Sequence, residues 1–552
     1  MQKYDVIVIG GGHNGLTCAC YLGRAGLRVK VVERRPVLGG TTVTEEFHPG
    51  FRNSVAAYAV SLLNPKIIAD LALYEHGLRI VERRAQNFLP AEDGRYLLAA
   101  DGRMPRELAK FSARDAERYA SFIREIDAVA DVLRRLVLRP PPNLVEGFGR
   151  RGLSELRRTL SVAKELRRLS MAETRALLDI FTKSAAEYLD GWFEGELAKA
   201  LFAFDAVVGN FASPLAPGTA YVMLHHALGE VNGKKRVWGH ALGGMGSIAT
   251  ALAKAARAHG VEIETAAPVR EIVATRDRIT GVALVDGRVF SADAVAASVN
   301  PKLVYTQMMP ADCVPASFRG RMGRWRCGSG TFRMNVALAK LPRFTALPEP
   351  GDHHTAGIIL APSLAYMDRA YEDACKTGVS REPIIELLIP STLDDTLAPP
   401  GAHVASLFCQ HVAPRLPDGA TWDDRRDSVA DLMIATVDRY APGFAASVVG
   451  RQVLSPLDLE REFGLVGGDI FHGAMTLDQL FSARPMLGYA DYRGPVPGLY
   501  HCGAGAHPGG GVTGAPGHNA AQAILSDRRR RKIRWFSLQG DLRALRWRRH
   551  KA

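Results

Sequence analysis

Apolar positions fall into blocks of different period along the chain. Val6, Ile7, Val8 and Ile9 follow one another without a polar break and stop at a glycine turn, the pattern of a strand buried on both faces. The spacing then predicts a helix over 13–25, and "LRVKVVE" (27–33) a second strand. "DGRYLLAADG", near 93–102, reads as a strand between Asp-Gly turns. From about 105 to 205 the period lengthens to that of amphipathic helices. Phe122, Ile126, Val129, Leu133 and Leu136 recur at intervals of three and four, and "RPPP" (139–142) ends that stripe. "SMAE" (170–173) has the spacing of a capping box. This interval reads as a helical domain with its own core, or as a lid over a pocket. From about 240, "GGMGSIATALAKAARAHGVEIET" predicts turn, helix and strand. "PVREIVAT", "ITGVALVDG" and "ADAVAASVNP" predict three more strands, and "GTFRMNVALA" (330–339) a longer one. No internal repeat is evident.

The first glycine turn is Gly10-x-Gly12-x-x-Gly15, between an apolar strand and a helix. Gly10 permits the tight turn, Gly12 lets the backbone approach a pyrophosphate, and Gly15 lets helix and strand pack closely. The helix start offers unpaired N–H groups and partial positive charge to a diphosphate. Glu33, ending the second strand, is placed to accept hydrogen bonds from a ribose diol. A second glycine pair, Gly39 and Gly40, follows in "RRPVLGGTT". A third cluster, "GAGAHPGGGVTGAPGHNAA" (503–521), is dense enough to signal a backbone lying close against something.

"YDVIVIGGGHNGL", "VVERRPVLGGTTVTEEFHPGF", "GGMGSIATALAKAARAHG" and "GLYHCGAGAHPGGGVTGAPGHNAAQAIL" resemble the carotenoid and retinoid oxidoreductase, or phytoene desaturase-like, branch of the flavin amine oxidase superfamily. The likeness covers nearly the whole chain, and the glycine turns carry its specificity. It implies an α/β fold: a discontinuous FAD-binding Rossmann-like domain from 1–75, 236–302 and 486–526, and a second mixed sheet-and-helix substrate domain from 76–235 and 303–485. It also implies FAD rather than NAD(P), because the second glycine pair lies along the FAD diphosphate in that family. The FAD contacts so implied are Gly10, Gly12, His13, Asn14, Gly15, Glu33, Arg34, Gly39, Gly40, Thr41, Val269, Gly503, Gly511, Val512 and Thr513, with Arg34 or Arg35 flanking the adenosine end. The carboxyl-terminal glycines would lie flat against the flavin ring, with a helix starting near Thr513–Gly517 aiming N–H donors at it.

A flavin disulfide reductase is the rival class. Such enzymes place a cysteine pair soon after the glutamate and glycine pair, yet "GGTTVTEEFHPG" (39–50) holds no cysteine, and a thiol relay needs thiols. Their second nucleotide unit has one candidate here, Gly244-x-Gly246-x-x-Ala249, and "KKRVWGHALG" before it is no buried strand.

Side chains that would perform chemistry are few. His507 is the first candidate near the ring, with a hydrogen-bonded structural histidine as the other reading. Tyr58 and Arg52 could line the same cavity, as could Arg333 or Asn335. No cluster has metal-ligand spacing and no nucleophile elbow is present. The expected function is an FAD-dependent oxidoreductase taking hydride from, or desaturating, a mainly apolar small molecule, with oxygen or a quinone as electron acceptor. A flavin-containing assembly protein with little turnover and a redox-neutral flavin isomerase are the alternatives.

Composition adjusts this picture at three points. A chain of 552 residues calls for two domains or more. The absence of an apolar run of about twenty residues, or of a signal-peptide pattern, gives a cytoplasmic expectation. Seven scattered cysteines (18, 20, 313, 327, 375, 409 and 502), with no CxxC, suit a reduced compartment and structural roles. The net charge of +13 is lopsided: residues 527–552 hold eleven Lys/Arg against two Asp, interleaved with Trp535, Phe536 and Trp547. That basic amphipathic tail suits the anionic inner face of a membrane, with a solvated frayed tail as the plain reading. No nucleic-acid reading module accompanies it. Oligomeric state stays open.

Overall fold

The computed structural model describes residues 3–143 and 150–530. The opening apolar run forms the strand Lys3–Ile9, whose last four residues are all buried. It sits inside a seven-stranded sheet of order Glu262–Glu264, Val29–Val32, Lys3–Ile9, Val289–Ala297, Ile279–Leu284 and Val269–Ala274, with Leu499–His501 also paired to Val289–Ala297. The first four of these strands run parallel, as does Leu499–His501. The expected α/β class is therefore observed: one mostly parallel sheet collects strands from three separated stretches of chain.

Helices cover both faces of this sheet, which explains its unbroken apolar runs. Helix His13–Arg24 packs beside helix Gly246–Ala258 in a shared core containing Leu16, Leu22, Ile248 and Leu252. The first turn of Gly246–Ala258 is occupied by the protein itself. Thr44 Oγ1 accepts the Gly246 N–H (2.9 Å), Ser54 Oγ that of Met245 (2.9 Å), and Asp394 that of Gly243 (2.7 Å). Those donors are not free for a second dinucleotide, and the helix leads instead to the edge strand Glu262–Glu264.

The second domain is a largely antiparallel seven-stranded sheet in which Phe332–Leu338 and His403–Val412 lie side by side. Helices Ala113–Leu136, Met171–Thr182, Glu196–Val207 and Thr219–His226 close over it in a core with Phe122, Ile180, Leu201 and Phe408. Ser170 and Glu173 form the anticipated capping box. The carboxyl-terminal helix, 515–530, returns to the dinucleotide domain, where Asp527 binds Arg493 (2.8 Å) and Tyr500 (2.8 Å) and Arg528 binds Asp5 (2.6 Å). The start of the basic tail is thus tied into the fold, and its residues 531–552 lie outside the described residues.

Candidate functional site

A cavity of about 440 Å³ runs from the first glycine turn into the gap between the two sheets. The three glycines of that turn do three different jobs. Gly10 has φ +99°, open only to glycine without strain. A Cβ on Gly15 would collide with the Gly10 carbonyl oxygen, so that position sets how closely helix meets strand. A Cβ on Gly12 would make only ordinary contacts, 3.7 Å from Gly39 O and 3.9 Å from Gly40 Cα. Among the described residues nothing forbids a side chain at Gly12; its open side is the cavity wall.

The helix that follows has no side-chain cap and no acidic residue in its first turn, leaving its N-terminal dipole to a ligand. His13 Nε2 and Asn14 Oδ1, both buried on the wall, have no hydrogen-bond partner among the described residues. Buried polar atoms without partners are costly, and a polar ligand at this spot would satisfy them. Glu33 reaches the wall with both oxygens already engaged, one accepting the Gly11 N–H (2.7 Å) and the other the Arg35 N–H (2.9 Å). Its remaining lone pairs are free for ribose hydroxyls. Gly39 (φ +124°) donates its N–H to Gly11 O at 2.9 Å, so the second glycine pair is bonded to the first turn. Gly40, Thr41, Arg34, Arg35 and Val269 complete this end of the wall.

The distant third cluster meets the first. A Cβ on Gly517 would collide with the Asn14 carbonyl oxygen, so the helix 515–530 packs directly on the start of His13–Arg24. Gly511 (φ +91°) and Val512 line the cavity. Thr513 and Gly503 do not. Thr513 Oγ1 accepts the Ala515 N–H at 3.1 Å, and Gly503 provides clearance beside Ser298.

Beyond the glycine turns the wall becomes aromatic and apolar: Leu62, Val208, Trp238, Phe408, Ile470 and Phe471, with Tyr58, His226 and His472. Tyr58, one of the side chains expected near the site, lines the wall. Its hydroxyl donates to Glu386 (2.6 Å), and its ring lies 4.6 Å from the Arg333 guanidinium. Burial pushes the Glu386 carboxyl up, opposed by Arg83 and Arg333. Burial, with Glu386 nearby, also pushes Asp205 up to about 8.

Several other anticipated side chains stand elsewhere. His507 is buried off the cavity wall, its ring 6.0 Å from that of Phe481, and burial lowers its pKa to about 4. Arg333 lies behind Tyr58, donating to Leu407 O (2.8 Å) and Ser406 Oγ (2.7 Å). Asn335 joins Ser54 O (3.1 Å) and Gln452 (3.0 Å), and Arg52 is exposed. Trp238, His226 and His472 line the cavity from stretches with no shared spacing, and Glu386 meets the site through Tyr58, so no sequence pattern announced any of the four. The sequence also hid a meeting of Cys18 with Cys502. Both are buried off the wall, and the Cys18 thiol, hydrogen-bonded with Cys502 and desolvated, is held well above its ordinary pKa.

A parallel sheet with a phosphate-type glycine turn, closed by a distant glycine turn over an aromatic chamber, defines a flavin-binding oxidoreductase. The chain belongs to the flavin-containing amine oxidoreductase family, whose model matches residues 15–316. It is 41% identical over 548 residues, 95% of this chain and 94% of the other, to the rat protein called pyridine nucleotide-disulfide oxidoreductase domain-containing protein 2. It is 25% identical over 548 residues, 94% of this chain and 98% of the other, to a lycopene-forming phytoene desaturase of Pseudescherichia vulneris. The fold resembles that of an oxidoreductase from Methanosarcina mazei, with TM-score 0.61 and 17% identity over 95% of this chain and all of that one. The expected likeness to phytoene desaturase-like flavoproteins holds over nearly the whole chain.

Proposed function

We propose that the chain is an FAD-dependent dehydrogenase or desaturase acting on a mainly apolar organic molecule. One observation carries the reading: a single cavity joins the dinucleotide turns to a chamber walled by Leu62, Val208, Trp238, Phe408, Ile470 and Phe471. Such a wall suits a hydrocarbon-rich substrate and excludes water from the reacting carbon. The relative named as a phytoene desaturase supports the same direction.

FAD, when bound, would supply the hydride acceptor; the protein supplies place and polarity. Gly12, His13 and Asn14 would hold the diphosphate and Glu33 the adenosine ribose, while Gly511 and Val512 would lie along the ring. Removing a hydride leaves a proton to be shed from the substrate. Tyr58, hydrogen-bonded to Glu386, is the ionisable pair on the wall that would pass it on to the carboxylate. Oxygen or a quinone would take the two electrons and close the cycle.

The test is anaerobic mixing of the FAD-loaded protein with isoprenoid hydrocarbons and lipid extracts. Bleaching of the visible flavin band is expected. A protein that takes up no FAD, or one bleached by small hydrophilic amines and by no lipid fraction, would overturn the reading.

A further inference from the structure

Arg484 is fully buried, among the largest side chains to be so. Among the described residues no carboxylate lies within ion-pair reach of it. Its guanidinium donates instead to backbone carbonyls of two segments: Phe471 (2.6 Å), Gln479 (3.1 Å) and Gly473 (3.3 Å) on one, and Ala504 (2.8 Å) on the other. Phe471 and Ala504 are both on the cavity wall, and His472, between the bonded carbonyls, is as well. A Cβ on Gly509 would stand 3.4 Å from Arg484 Nε, so the side chain lies directly under the carboxyl-terminal glycine turn. The opposite charge that acts on it, Asp469, is occupied by the N–H groups of Gly328 and Phe471, each 2.7–2.8 Å away.

The other basic groups around this turn are neutral. Burial lowers His13, His472 and His507 to about 4 and His225 to about 3, with Arg484 adding to the effect on the last three. The guanidinium, lowered by burial to about 10, keeps its proton at neutral pH. Arg484 is therefore the fixed cation behind the Gly503–Gly511 part of the wall among the described residues, in a dry setting that screens it little. Hydride arrival makes a flavin ring electron-rich, and a preorganised positive charge favours that state without reorganising.

We propose that Arg484 is the fixed cation of the flavin site, a positioning residue that ties the segment Phe471–Ala474 to the Gly503–Gly511 turn and strengthens the bound ring as an electron acceptor. The inference rests on the FAD reading above. It concerns the chain's own charge, and so it is tested without knowing the substrate.

The measurements are the midpoint potential of the bound flavin, against a reference dye, and the affinity of sulfite, which adds to electron-poor flavins. In FAD-loaded Arg484→Gln, sulfite binding weakens about tenfold or more, and the potential falls by about 30 mV or more, the equivalent for a two-electron couple. Arg484→Lys keeps the charge and loses the fork of donors, so its potential stays within about 10 mV of wild type while its melting temperature drops. If Arg484→Gln does not fold, Asp469→Asn gives the opposite test: removing the opposing charge raises the potential and tightens sulfite binding. A charge-removing variant that binds FAD with unchanged potential and sulfite affinity overturns the proposal, whatever its stability. Wild-type protein that takes up no FAD would overturn the functional reading first, and a normal flavoprotein with an indifferent Arg484 overturns this inference alone.

Discussion

Gly12 and Gly15 are three residues apart, yet they answer to different neighbours. Gly15 faces the Gly10 carbonyl, whereas Gly12 faces open space on the cavity wall. Gly15→Ala should therefore lower stability by about 1–3 kcal/mol in urea unfolding, as overpacking does. Gly12→Ala should unfold like wild type and bind FAD about tenfold more weakly or worse, measured by flavin fluorescence. Equal effects on stability would refute the division of labour. This contrast shows which residues were legible beforehand. Glycines announce themselves because a turn or a close approach leaves a local signature. Trp238 and His226 have none: each is an unremarkable residue in its own stretch, and only the tertiary fold brings it to the wall. His507 sat beside the right glycines, and its ring packs against Phe481 instead of entering the cavity.

At the scale of elements, periodicity and punctuation were readable and partnership was not. The apolar run 6–9, the stripe from Phe122 to Leu136 and the Ser170 cap are local patterns, and each produced its element. That strand Leu499–His501 would join the sheet of Lys3–Ile9 depends on its pairing with Val289–Ala297, which no local pattern announces. The helix 515–530 yields a prediction of its own. Asp527 pairs with Arg493 and Tyr500, so a chain ending at 526 leaves Arg493 short of a partner and loses stability. A chain ending at 530 keeps those bonds and should keep its melting temperature and FAD binding. If the basic residues beyond it attach the protein to anionic membranes, the second truncation abolishes salt-sensitive binding to phosphatidylserine vesicles; unchanged binding would reject the attachment.

The whole molecule carries an unusual load of neutral buried histidines. His226, His411, His501 and His507 are lowered to about 4 and His225 to about 3, in each case chiefly by burial. A histidine whose pKa is lower folded than unfolded favours the native state at pH above the unfolded value near 6.5, and that contribution disappears as pH falls toward the folded value. Each adds up to about 1.4 kcal/mol per pH unit across that window. The urea midpoint should fall steeply between about pH 6.5 and pH 4, with several protons taken up on unfolding; a flat profile would contradict the burial described.

The dinucleotide sheet has a consequence for biosynthesis. Its strand Val289–Ala297 is clasped by Lys3–Ile9 and by Leu499–His501, so the cradle for the cofactor has walls from both ends of the polypeptide. Domains ordinarily mature from the amino end while translation proceeds. Here the nascent chain carries the Gly10–Gly15 signature for most of its synthesis without anything able to close over a prosthetic group. A chain cut upstream of residue 499 lacks the strand that pairs with Val289–Ala297 and is expected to bind no flavin, which the visible absorbance of the purified fragment checks.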